Sequence, residues 1–219
     1  MTKNLFPQNQ MVAPEFDLKS IYQTVLKSVF TVMLVFLSVA GWGQVSITAL
    51  PYTKSDNFDT YNPTNATNAA SSIPTGWTHS GAVNYFGRST GTGTGGGFYG
   101  FGNNPDYSIG ALRSGTNEYT YTVSFTNNSG STINSITLAW NYEQWRYANT
   151  SGWNVTGTGQ LATNTTLNGK DFNGVASGTN GVVTTTPVSS FTLTGLSIAN
   201  GQSFGITWVT VDATSSDNG

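Results

Sequence analysis

The sequence predicts an all-β fold: an antiparallel two-sheet sandwich, jelly-roll-like, preceded by the helix of a signal peptide. Three observations predict it. Tyr119, Tyr121, Val123 and Phe125 alternate with Thr120, Thr122 and Ser124, the period of two that puts every second side chain on one face of a strand. Charged residues are only 8% of the 219, while aromatic residues reach 13% and glycines number 26. Aromatic-rich, Thr- and Ser-rich, charge-poor chains suit pleated surfaces, whereas long helices need Ala, Leu, Glu and Lys. Finally, no 12-residue stretch after residue 43 keeps an i, i+3, i+4 apolar pattern. Crossover helices, and the parallel sheets they would connect, are therefore not expected.

Taken in order, residues 1–43 form an N-terminal extension and signal peptide. Residues 29–40, VFTVMLVFLSVA, are apolar except for Thr31 and Ser38; Lys19 and Lys27 precede them, and Gly41 and Gly43 follow. A basic flank, a core of about 7–15 apolar residues and small residues at the exit make an export signal. The run falls short of the roughly 20 residues a membrane-spanning helix needs. Cleavage is expected after Gly43, so the membrane would be a partner during export alone and the product would be secreted or held at the cell surface.

Residues 44–219 form the sandwich domain. Residues 59–72 are polar and aromatic-poor, which predicts a long surface loop. Strands are expected near residues 83–88, 97–102, 109–113, 119–125, 136–142, 152–156, 182–186, 190–196 and 203–211. Stretches rich in Gly, Asn or Ser separate them, as in Asn127-Asn128-Ser129-Gly130. The 119–125 and 136–142 strands pair either as a hairpin or as facing strands of two sheets.

Composition also excludes functions. Lys54, Arg88, Arg113, Arg146 and Lys170 are the bases after residue 43, and they are scattered; nucleic acid, which needs clustered cations, is not an expected partner. Cysteine is absent, which removes disulfides, thiolate metal sites and cysteine nucleophiles.

Four stretches carry a resemblance: Phe58-Asp59, Pro74-Thr75-Gly76-Trp77, Gly96-Gly97-Phe98-Tyr99-Gly100-Phe101-Gly102, and Glu143-Gln144-Trp145-Arg146. In this order they resemble the N-terminal β-sandwich module of large secreted bacterial proteins, of the kind that carry a C-terminal sorting domain for type IX secretion. The resemblance covers roughly residues 45–219 and implies no catalytic residues. It also implies a closing acidic and apolar strand beyond the last one here; the chain ends in SSDNG instead, so a domain truncated at its C-terminal end is expected.

Candidate sites are few. Glu143 and Arg146, beside Trp140, Tyr142 and Trp145, are expected to form a structural ion pair with the guanidinium lying over aromatic faces; as a general acid, Glu143 would need a second carboxylate about 5–10 Å away. His79, the only histidine, lies in a turn-like context, Trp77-Thr78-His79-Ser80-Gly81, without a nucleophile motif, and is expected in a solvated loop. GTGTGGG, residues 91–97, lacks the Lys-Ser/Thr and helix of a phosphate loop. Asp212 and Asp217 could offer oxygen ligands to calcium, the one cofactor considered. Trp140 and Trp208 belong to the core, while Tyr147, Trp153 and Trp145 could stack on sugar rings. These readings point to a non-catalytic extracellular module in adhesion or spacing. The alternatives are a carbohydrate-binding module of a larger secreted enzyme, with polysaccharide or another surface glycan as partner, and a polysaccharide hydrolase using Glu143.

Overall fold

A computed structural model describes residues 43–61, 63, 66–67, 73–81, 85–103, 105–113, 115–147 and 152–211. The apolar run at 29–40 and the pair Asp212 and Asp217 lie outside the described residues. In chain order the strands are β1 (Val45–Ile47), β2 (Ala66–Thr67), β3 (Trp77–Gly81), β4 (Tyr85–Ser89), β5 (Gly97–Asn103), β6 (Asp106–Leu112), β7 (Tyr119–Asn127), β8 (Ile136–Gln144), β9 (Gly152–Gly159), β10 (Phe172–Asn173), β11 (Thr184–Leu193) and β12 (Ser203–Val211). A single helical turn, Thr165–Asn168, capped by the Asn164 side chain, joins β9 to β10.

The architecture is an all-β sandwich. One layer is a sheet ordered β7-β12-β9-β10, with β1 and β3 sharing the outer edge of β7. The other layer consists of two smaller sheets, β8 with β11 and the four-stranded β2-β4-β5-β6. Most pairs are antiparallel, but β1 runs parallel to β7 and β4 parallel to β5. Neither needs a crossover helix: β4 leads to β5 through the 90–96 loop, and strands β2 to β6 lie between β1 and β7 in the chain. The strands at β7 and β8 are facing strands of different sheets, not a hairpin. Buried Asn127 fixes the departure of the chain from β7: its Nδ2 donates to Ser131 O and Ile198 O, both at 2.8 Å.

Alternation sorts the faces. Tyr119, Tyr121 and Val123 on β7, Phe204 and Ile206 on β12 and Val155 on β9 are buried. Opposite Val123, Phe204 and Ile206 stand Ile136, Leu138, Trp140, Tyr142, Phe191 and Leu193 of the two-stranded sheet. Opposite Tyr119 and Tyr121 stand Phe86, Phe98 and Ala111 of the four-stranded sheet. Trp77 and Trp153 touch both clusters and join them into one core. Trp140 and Trp208 pack there as expected, edge to face at 5.5 Å, and Trp77 stacks on Trp208 at 5.3 Å.

On the outer face the register places Thr78, Thr122, Thr207 and Thr156 side by side across four strands. Thr122 and Thr207 share a 2.9 Å hydroxyl hydrogen bond. Thr78 and Thr156 are exposed on this face, Thr122 is half-buried and Thr207 buried among its neighbours; β-branched residues fit the pleat here without needing charge.

Residues 77–81, expected as a turn, form β3, and two further regions differ from the sequence expectation. Residues 59–72 contain β2 and the fully buried Tyr61, because Tyr61 covers Gly100, where a side chain would meet it. Residues 182–186 and 190–196 are not two strands but one, β11, with a register shift between Val188 and Phe191; the extra residue keeps both Val188 and Phe191 facing the core.

Candidate functional site

The residues singled out in the sequence gather at the end of β8, where Glu143 to Tyr147 leave the sheet. Tyr147 is buried, 9% exposed. Its hydroxyl lies 3.1 Å from Gln144 O, 3.0 Å from Val182 O and 2.6 Å from Thr184 Oγ1. Its N–H donates to Asn180 Oδ1 at 2.7 Å. The ring rests on Gly178, where a Cβ would fall 2.4 Å from Tyr147 Cδ1; a glycine is needed for that approach. Buried Gln144 works beside it, with Nε2 donating to Val175 O at 2.7 Å and Oε1 accepting from Val175 N at 2.9 Å. Together they hold the 175–184 segment against β8.

Trp145 faces the other way. Its ring packs against Tyr99, Phe101 and Leu112 of the four-stranded sheet, and its Nε1 donates to Glu143 Oε2 at 3.0 Å. Its carbonyl accepts from Gly181 N at 3.1 Å. Gly91, at φ +87°, approaches that carbonyl so closely that a Cβ would stand 1.9 Å from the oxygen. Arg146 Nη1 donates to Gly93 O. Glu143 and Arg146, expected as partners of each other, thus serve Trp145 and the 91–97 loop. The carboxylate takes an indole N–H and the guanidinium takes a backbone carbonyl. Glu143 orients the Trp145 indole within its own segment, and Arg146 ties the end of β8 to the 91–97 loop.

Trp153 sits on β9 opposite Thr210 and Phe172. It packs into both core clusters, 6.2 Å from the Tyr121 ring. Of the three aromatic candidates, Tyr147 and Trp145 come together around Gln144, and Trp153 belongs to the interior between the sheets. Tyr147 is buried, and Trp145 and Trp153 are half-buried.

His79 is not in a loop. It lies on β3 opposite Tyr121, and its ring is 4.7 Å from Phe86 and 4.8 Å from Phe98. Burial there lowers its pKa below the ordinary 6.5, against a smaller backbone hydrogen-bond effect that raises it. The sequence signal was present: Trp77, His79 and Gly81 alternate with Thr78 and Ser80, and the Ser-Gly ending masked it.

Among the described residues no three His, Cys, Asp or Glu side chains converge on a metal-sized site. Asp171 Oδ1 accepts from Val155 N at 2.6 Å, and Asp56 accepts from Lys54 Nζ and Trp77 Nε1, both at 2.8 Å. Phe58 completes this corner, edge-on to Trp77 at 5.1 Å. The four stretches that carried the family resemblance therefore meet in pairs: Phe58 with Trp77, and Trp145 with Tyr99 and Phe101. No helix of the described residues is long and apolar enough to cross a membrane. No protein-family model, curated protein or solved structure matches the chain.

Proposed function

We propose that this chain is a non-catalytic module of a secreted or surface-attached bacterial protein, acting in adhesion or as a spacer. One observation carries the reading: the segment 143–147 uses its guanidinium, amide and two aromatic rings to hold the 91–97 loop, the 175–184 segment and the four-stranded sheet together, with the carboxylate orienting the Trp145 indole. Groups arranged this way give a rigid end to a sandwich that has no disulfide, a useful property outside the cell. The basic-flanked apolar run at 29–40 supports export, and the uncharged threonine face supports an exposed extracellular surface.

The test is turnover. The full chain, incubated with a panel of soluble and insoluble polysaccharides, is expected to release no reducing ends above buffer. Release that Glu143→Gln abolishes would overturn the proposal and establish hydrolysis instead.

A further inference from the structure

The four-stranded sheet carries a cleft that none of the residues above explains. It is an open depression of about 470 Å³, lined by Arg88, Ser89, Thr90, Thr92, Asn103 and Tyr107. That size is in the range of small-ligand sites, about 300–1,000 Å³.

Its construction begins with two glycines. Arg88 on β4 pairs with Gly100 on β5, and Gly102 on β5 pairs with Tyr107 on β6, so all four lie on one face of the sheet. Gly100 makes room for Tyr61 and Pro63, and Gly102, at φ +136°, for the close approach of the Asp106 carbonyl. Arg88 Nη1 donates to the Tyr107 hydroxyl at 3.0 Å. The guanidinium carbon stands 5.8 Å from the Tyr107 ring centroid. Tyr107 is buried, at 5% exposure, and serves as a fixed post for an exposed cation. Among the described residues no carboxylate lies within ion-pair distance of Arg88.

We propose that this cleft binds the carboxylate of an acidic sugar, a uronate unit of a polysaccharide. A guanidinium with one N–H engaged by tyrosine keeps the rest of its planar fork for a bidentate carboxylate. The hydroxyls of Thr90 and Thr92 and the amide of Asn103 are neutral donors and acceptors suited to ring hydroxyls. A phosphate group fits less well. One cation balances a single negative charge, and the nearby amides of Gly91 and Gly93 are turned toward Ser89 Oγ, at 3.0 and 3.4 Å, instead of forming an anion nest. The site goes beyond the module reading, since a spacer would fold equally well without it.

Isothermal titration of the full chain with tetragalacturonate, a neutral glucose tetrasaccharide and inorganic phosphate tests the assignment. Tetragalacturonate is expected to bind, with affinity falling as salt rises, and the other two are not. Arg88→Gln is expected to weaken binding about tenfold or more, Arg88→Lys by less, and Asn103→Ala several-fold; Asn103→Ala leaves the melting temperature unchanged, while Arg88→Gln lowers it modestly through the lost bond to buried Tyr107. Should Arg88→Gln fail to fold, Asn103→Ala decides the matter alone. Absence of tetragalacturonate binding overturns the proposal. So does equal binding of phosphate or of the neutral sugar, or undiminished binding by a folded variant. Loss of this site would leave the non-catalytic reading intact, because that reading rests on turnover.

Discussion

Removing one oxygen tests whether Tyr147 is a clamp or a ligand platform. In Tyr147→Phe the ring stays on Gly178 and only the hydroxyl goes. That hydroxyl has three polar neighbours, Gln144 O, Val182 O and Thr184 Oγ1. A phenol carries one proton, so it donates to one carbonyl at a time and can accept from the threonine. Two net hydrogen bonds at about 1 kcal/mol each give about 2 kcal/mol, rising toward about 3 kcal/mol if the carbonyls stay dry. For a domain of this size 1 kcal/mol corresponds to roughly 2–4 °C in Tm, so calorimetry should show a drop of about 4–8 °C. Hydrogen exchange should quicken for the amides of Val175, Gly181 and Val182, which this corner holds. A Tm within about 1 °C of the parent and unchanged exchange would refute the clamp. Lost polysaccharide binding at unchanged Tm would instead make the hydroxyl a ligand contact.

Gly91→Ala combines a left-handed backbone with a Cβ placed 1.9 Å from Trp145 O; it is expected to cost at least about 2 kcal/mol and to increase proteolysis within residues 91–97. Trp208→Ala removes a ring that touches both Trp77 and Trp140, and a loss of about 3–5 kcal/mol should appear as a lower urea midpoint. His79 gives a pH dependence of definite sign. Its folded pKa lies below the unfolded value of 6.5, so below that value the unfolded chain binds more protons and stability falls with pH. The stabilising difference is complete above pH 6.5 and shrinks as pH drops through the window beneath it. Melting from pH 7.5 to 5 should show this decline, flattened in His79→Gln; an identical slope in both proteins would remove His79 as the cause.

Sequence alone determined the class of fold, because period two is a local property. Tyr119 to Phe125, Ile136 to Tyr142 and Ser203 to Val211 each declare which side chains share a face, and all three are strands with those faces inward. The core roles of Trp140 and Trp208 follow from the same alternation. What a linear pattern cannot carry is which strand meets which. The tertiary structure alone put β1 and β3 on one edge of β7, packed His79 against the stacked pair Phe86 and Phe98, and gave Glu143 to Trp145 and Arg146 to Gly93. It also brought Arg88 to Tyr107 across 19 residues of chain. Short polar segments have too little apolar area to specify a partner by themselves. Their places are set by hydrogen bonds and close glycine contacts that exist only once the two layers have packed.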